Sequence, residues 1–182
     1  MAENSPFARP VRVESVSADG LEQRIEANEG ERAALAKLNG LPAIARLTAR
    51  FTLNRAGRGV IRVRGEVHAE ITQSCVVSLE PVEARLNEPV DVRFAVPAGE
   101  SASRRGPPIS AAEAESLSLD GEDAPDPVVD GKIDLGALAA EFMVLGLDPY
   151  PRKPGVDFTP PAAEGEGAGG PFGGLGAGAK KG

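Results

Sequence analysis

Nucleophilic or metal chemistry in this chain would have to be built from one histidine, His68, and one cysteine, Cys75. A thiolate nucleophile needs a base within hydrogen-bond reach. The two residues lie seven positions apart in a run that reads as a single strand, and an odd separation sends side chains to opposite faces. A closed zinc site takes about four Cys or His ligands, and the chain holds two such residues in total. One cysteine also excludes an internal disulfide. No GxxxxGK[ST] is present, and no GxGxxG follows a strand pattern; Ala56-Gly57-Arg58-Gly59 reads as a hairpin turn, not a phosphate cradle. Paired carboxylates such as Glu122, Asp123 and Asp126 fall in a Gly-, Pro- and Ser-rich stretch that fixes no geometry. The sequence therefore predicts a protein that is not an enzyme, with no metal, cofactor or small-molecule substrate. Cys75 reads as a small half-buried residue at a strand end.

The residues that could do binding chemistry are the arginines. From Arg32 to Arg64 there are eight basic residues (Arg32, Lys37, Arg46, Arg50, Arg55, Arg58, Arg62 and Arg64) and no acid, with Glu31 and Glu66 bracketing the stretch. Arginine forks onto phosphate oxygens, so the cluster is the electrostatic footprint of an RNA contact, set against the alternative of a solvated basic hairpin. Arg46, Arg50, Arg55, Arg58, Arg62 and Arg64 are the RNA-contact candidates. Aromatic residues are missing from the outward positions of this hairpin, which favours backbone or structured RNA over stacked single-stranded bases.

Strands are needed to position these side chains. Leu47, Ala49, Phe51 and Leu53 alternate with Thr48, Arg50 and Thr52, the period-2 pattern of a half-buried strand. After the Asn54–Gly59 turn, Ile61, Val63, Gly65, Val67, Ala69 and Ile71 point one way and Arg62, Arg64, Glu66, His68 and Glu70 the other, with a bend expected at Gly65. Further alternation occupies 82–86 and 90–96, with Pro89 marking an edge or a break, and Val11 and Val13 suggest an N-terminal strand. Asn28 and Glu31 suggest the capped start of a short helix with Ala34, Leu35 and Leu38 on one face, ended by Asn39-Gly40. Asp134 caps a second helix with Leu135, Leu138, Phe142 and Leu145 at helical spacing, stopped by Gly146 and Pro149. The expected architecture is α+β: an antiparallel sheet, curling toward a barrel, covered by two amphipathic helices.

The 182 residues suit one domain over 1–158 and a low-complexity, flexible Gly-rich tail over 159–182. Within the domain, 99–131 reads as a long acidic mobile loop, too poor in branched apolar residues to offset its ordering entropy. The formal charge of −7 is segregated, since residues 1–98 carry 13 basic and 13 acidic side chains and residues 99–182 carry 7 and 14. No apolar run approaches the roughly 18 residues of a membrane span, and the first residues lack a basic and apolar leader pattern. A cytoplasmic protein with no membrane partner is expected.

Two longer runs add a resemblance. ITQSCVVSLEPVEARLNEPVDVRF and, much later, KIDLGALAAEFMVLGLDPYPRKPGVDF resemble the YceD family of large ribosomal RNA subunit accumulation proteins, over about Val11 to Phe158. The residues that carry it are Cys75, Leu79, Glu80 and Pro81 in the first motif, and Asp134, Leu135, Pro149, Tyr150 and Pro151 in the second. The tail's Pro171-Phe172-Gly173-Gly174-Leu175 with Lys180-Lys181 resembles a degraded terminal apolar-basic motif of the family. Many members carry a CxxC pair at the first motif, of which this chain keeps Cys75 and has Ser78 at the second position. The resemblance implies a cytoplasmic, non-enzymatic factor for synthesis, processing or stability of 23S ribosomal RNA, partnered by precursor RNA or a large-subunit ribosomal protein. An adaptor that grips a basic ribosomal protein through residues 113–126 and never touches RNA is the alternative.

Overall fold

A computed structural model describes residues 5–57, 59–96 and 125–157. In chain order the elements are β1 (Pro10–Arg12), β2 (Leu21–Glu26), α1 (Glu29–Leu38), β3 (Ala43–Arg55), β4 (Val60–Ser74), β5 (Pro81–Ala95), β6 (Asp126–Pro127), β7 (Lys132–Asp134) and α2 (Leu135–Leu145), with a 3-10 turn at Val13–Ser15. The main sheet has the order β2-β3-β4-β5-β6, and a separate two-stranded ribbon pairs β1 with β7. All pairings are antiparallel except β5 with β6. The sheet is open, so the expected curl toward a barrel does not close: β2 and β6 are its two edges.

The alternation in β3 and β4 decides the rest. Ile44, Leu47, Ala49, Phe51 and Leu53 of β3 and Ile61, Val63, Val67, Ala69 and Ile71 of β4 are all buried, and their register partners face one another across the ladder. Gly65 sits opposite Phe51, where a Cβ would collide with the Arg50 carbonyl oxygen and meet the Phe51 ring at 2.8 Å. Glycine is required there by close approach, and the fully buried Phe51 ring fills the space its missing side chain leaves. The β3–β4 turn takes positive φ at Gly57 (84°) and Gly59 (69°), the conformations glycine adopts without strain.

Several expectations change on contact with the fold. Pro89 does not break its neighbourhood into two segments: β5 runs unbroken from Pro81 to Ala95, paired with β4 throughout. Among the described residues β5 has no second neighbour along most of its length, the edge position expected as one alternative at Pro89, and an edge tolerates the missing N–H of proline. Leu21–Glu26 forms a strand that the sequence reading left out, paired with β3 from Leu21↔Leu53 to Glu26↔Thr48. The segment expected to stay loop until residue 131 rejoins the fold earlier, since Asp126 and Pro127 pair with Phe94 and Ala95 and Val128 is buried. Residues 97–124, and the tail from residue 158, lie outside the described residues.

Both helices are where their caps place them, with Leu35, Leu135 and Leu138 buried as expected and Ala34, Leu38 and Leu145 exposed against expectation. In α1 the Asn28 side chain accepts from Glu31 N (2.9 Å) while Glu31 accepts from Asn28 N (2.8 Å), a complete capping box. Its buried residues are Leu35 and Ala36, while Ala34 is exposed and Leu38 is 69% exposed. Ala27 N–Leu47 O (3.0 Å) before the helix and Leu41 N–Ala36 O (2.9 Å) after it fix which side meets β3. In α2, capped by Asp134, the buried residues are Leu135, Gly136, Leu138, Ala139, Ala140 and Met143, with Phe142 half-buried and Leu145 69% exposed. The cause is the segment before β1: a Cβ on Gly136 would strike the Phe7 carbonyl, and Phe7 is itself fully buried. Small residues let the backbones approach, so the helix turns its Gly-Ala side inward.

Truncating Met143 to alanine is expected to destabilise the protein by about 2–5 kcal/mol, and Leu145→Ala by no more than about 0.5 kcal/mol. Urea unfolding of both variants checks the helix rotation, since the sequence pattern alone ranks Leu145 as core.

Candidate nucleic-acid interface

The residues not buried by β2 to β5 form the outer face of the sheet, and the register sorts them into rows. Arg24, Arg50 and Glu66 stand in one row across β2, β3 and β4; Glu26, Thr48 and His68 form the next; Glu22, Thr52, Arg64 and Asp91 form another. Asn54, Arg62 and Arg93 make a fourth row, and Arg46, Glu70 and Arg85 a fifth. A register shift between Ile44 and Arg46 keeps Ile44 buried and Arg46 exposed. Around the first two rows the outer face sinks into a trough of about 700 Å³, lined by Arg24, Arg46, Arg50, Thr48, Thr52 and His68, with Glu26 and Glu66 also at its wall.

The arginine candidates separate by what they touch. Arg62 holds Asp91 with two bonds, Nε to Oδ1 at 2.6 Å and Nη2 to Oδ2 at 2.7 Å, and Arg64 Nε reaches the same carboxylate at 3.2 Å. The Arg62 hydrogen bond is the chief reason the Asp91 carboxyl lies below its ordinary pKa, with the charges of Arg62 and Arg64 adding to it against partial desolvation. Arg55 turns away from the face: its Nε donates to Val16 O (2.9 Å) and Nη2 to Val13 O (3.1 Å), tying the 3-10 turn to β3. Arg58 lies outside the described residues. Arg46 and Arg50 are exposed and make no hydrogen bond or ion pair among the described residues, and the same holds for Arg24. Arg24 escaped the sequence reading because it stands between Glu22 and Glu26, outside the acid-free run. Glu66, directly opposite Arg50, approaches His68 Nε2 at 3.4 Å instead.

The residues of the two longer motifs meet in a different place. Beyond the end of β4, Cys75 is fully buried, deeper than the half-buried position expected. Its Sγ accepts backbone N–H groups from Val77, Ser78 and Lys153, each at 3.4 Å. The Ser78 hydroxyl and these backbone donors pull the thiol pKa down to about 6. Around it, Val76 N donates to Pro151 O (2.9 Å), Cys75 N to Glu80 O (2.8 Å), and Lys153 Nζ to Glu80 Oε2 (2.9 Å). Pro81 opens β5, and Pro149 and Tyr150 are exposed. Leu79 is 79% exposed at a positive φ of 61°. Asp134 takes Arg9 N (2.7 Å), Gly136 N (2.9 Å) and Ala137 N (3.1 Å), and Leu135 is fully buried. The two motifs thus clasp the β4–β5 turn to the segment after α2. His68, on the outer face, is nowhere near this thiol, as the odd spacing requires. Among the described residues no group of three or more His, Cys, Asp or Glu side chains could hold a metal ion.

A family model described as large ribosomal RNA subunit accumulation protein YceD matches residues 63–170, more than half of the chain. No curated protein and no solved structure matches. Among the described residues, no helix is long and apolar enough to cross a membrane.

The folded-state thiol pKa of about 6 lies below the ordinary value near 9, so the Cys75 thiolate contributes stability that is full above the unfolded value and lost as pH falls through about 6. Cys75→Ser is expected to fold, and the melting-temperature advantage of the native chain over this variant should grow from pH 6 to pH 9. A difference that stays flat over that window would mean the three N–H groups do not hold a thiolate.

Proposed function

The chain belongs to the YceD family of large ribosomal RNA subunit accumulation proteins, and from that premise we propose that it supports 23S ribosomal RNA in the cytoplasm without catalysing a reaction, by docking the outer face of its sheet on precursor RNA. The observation that carries this reading is the alignment of exposed arginines from neighbouring strands on one face, fixed by the β2–β3–β4 register. Arginines so arranged meet a phosphate backbone as a group, and a rigid sheet holds them without the entropy cost of ordering a loop. Among the described residues no Phe, Tyr or Trp lines the trough, whose one ring is the imidazole of His68, so backbone and groove contact is favoured over stacked bases.

Asp91 supports the alternative, a protein-only adaptor, because one carboxylate occupies both Arg62 and Arg64 and lowers the free positive charge on that half of the face. The acidic segment proposed to grip a basic ribosomal protein, 113–126, lies outside the described residues except for its last two positions. RNA filter binding at two salt concentrations separates the readings. In a deletion strain, the triple variant Arg50→Ala, Arg62→Ala, Arg64→Ala is expected to fold and to fail to restore 23S accumulation. Full restoration would remove the arginine face from the mechanism and leave the adaptor. Asp91→Asn releases the restraint on two guanidinium groups and removes one negative charge, so RNA affinity should rise and the salt dependence steepen. Weaker binding by that variant would show that the ion pair itself forms the docking surface.

A further inference from the structure

Arg24 and Arg50 are direct cross-strand partners on the outer face, both exposed, and neither side chain makes a hydrogen bond or ion pair with any described residue. Directly opposed positions of an antiparallel pair bring Cβ atoms to within about 5.5 Å, where like charges repel and destabilise the sheet. The acids nearby do not pair with them: Glu66, opposite Arg50, lies 3.4 Å from His68, and Glu22 and Glu26 flank Arg24 along β2, but none makes an ion pair with either guanidinium. Thr48 and Thr52 flank Arg50 on the same face with hydroxyl groups, and Arg46 stands further along β3 in the same trough. Four residues at about 3.3 Å rise separate the backbones of Arg46 and Arg50 by about 13 Å, enough for the two guanidinium groups to reach different phosphates of one polyanion strand. Three guanidinium groups face two carboxylates, Glu26 and Glu66, in the trough wall.

We propose that this trough is an anion clamp for duplex RNA, in which Arg24 and Arg50 chelate one backbone phosphate and Arg46 takes another of the same strand. This rests on the RNA reading above and moves its centre away from Arg62, which holds Asp91 with two donors, and Arg64, whose Nε shares that carboxylate, to a pair that includes Arg24, outside the acid-free run. The bound phosphate supplies the charge that the like-charged pair lacks, so ligand binding and relief of repulsion are the same event. With no Phe, Tyr or Trp among its described lining residues and His68 as its one ring, the trough suits sugar-phosphate backbone better than splayed bases.

Fluorescence anisotropy of the full chain with a short labelled RNA duplex, between about 50 and 200 mM salt, tests the clamp. Arg24→Ala and Arg50→Ala are each expected to weaken binding about tenfold, the loss of one charge-assisted contact, and to reduce the salt slope by about one. The double variant should lose less than the product of the two, because both side chains serve one phosphate. Arg24→Lys should keep the slope and recover only part of the affinity, a point charge replacing a fork. Melting of unliganded Arg24→Ala at or above the native temperature establishes that lost binding is not lost folding. If Arg24→Ala and Arg50→Ala bind as the native chain does while Arg62→Ala or Arg64→Ala weakens binding, the clamp is wrong and the RNA reading stands. If the native chain binds no duplex at either salt, the RNA reading falls and the clamp falls with it.

Discussion

The pairing of β3 with β4 governs the molecule. Because strand side chains alternate with period two, a slip of one residue would carry the arginines into the core and the leucines, valines and isoleucines out. Two features hold the register: the Gly57/Gly59 turn at one end, and the Gly65–Phe51 contact in the middle, where only a residue without Cβ fits beneath the Arg50 carbonyl. Everything else attaches to this ladder. β2 and α1 are fastened to β3, β5 to β4, and α2 packs across β3, β4 and β5 with its cap anchored to the Phe7–Arg9 segment. The outer face inherits its arrangement from the inner one, so the positions of Arg46, Arg50, Arg62 and Arg64 are a by-product of core packing and involve no loop.

The hairpin and both helix caps were legible in the sequence because their causes are local. Alternation, a glycine turn, and an Asn-x-x-Glu or Asp start need only a few adjacent residues. β2 was not legible: its inner positions are Leu21, Gln23 and Ile25, with a polar residue in the middle of a short run. The faces of α1 and α2 were legible only at Leu35, Leu135 and Leu138, because helical spacing gives a stripe, while the rotation of that stripe depends on what lies beneath it. For α2 that is the Phe7 carbonyl against Gly136, a contact 129 positions apart that no window of sequence contains.

The interface was legible in part for the same reason. Arginine exposure follows from alternation, and Arg46, Arg50 and Arg64 are exposed as expected. Their partners are not local. Asp91, which binds Arg62 and Arg64, lies 27 to 29 positions away, and Arg55 is diverted to the carbonyls of Val13 and Val16. An acid-free run in sequence is therefore a poor measure of free positive charge in a sheet, where the neighbours across the ladder count for as much as the neighbours along the strand. Judged by bonds, the arginine candidates whose side chains have no partner among the described residues are Arg24, Arg46 and Arg50.

That location reconciles a net charge of −7 with a phosphate ligand. Attraction at a distance is governed by the whole molecule and would disfavour RNA, but near physiological salt the Debye length is about 8 Å, so charges farther from the trough than that are largely screened. Within that radius Arg24, Arg46 and Arg50 stand with Glu26 and Glu66, and the opposed guanidinium pair carries a repulsive cost that an anion between the two strands would relieve. Binding of this kind depends on fit at short range more than on steering. A protein with such a site would pass over exposed polyanion generally and hold only a backbone whose phosphates match the spacing of Arg46 from the Arg24–Arg50 pair.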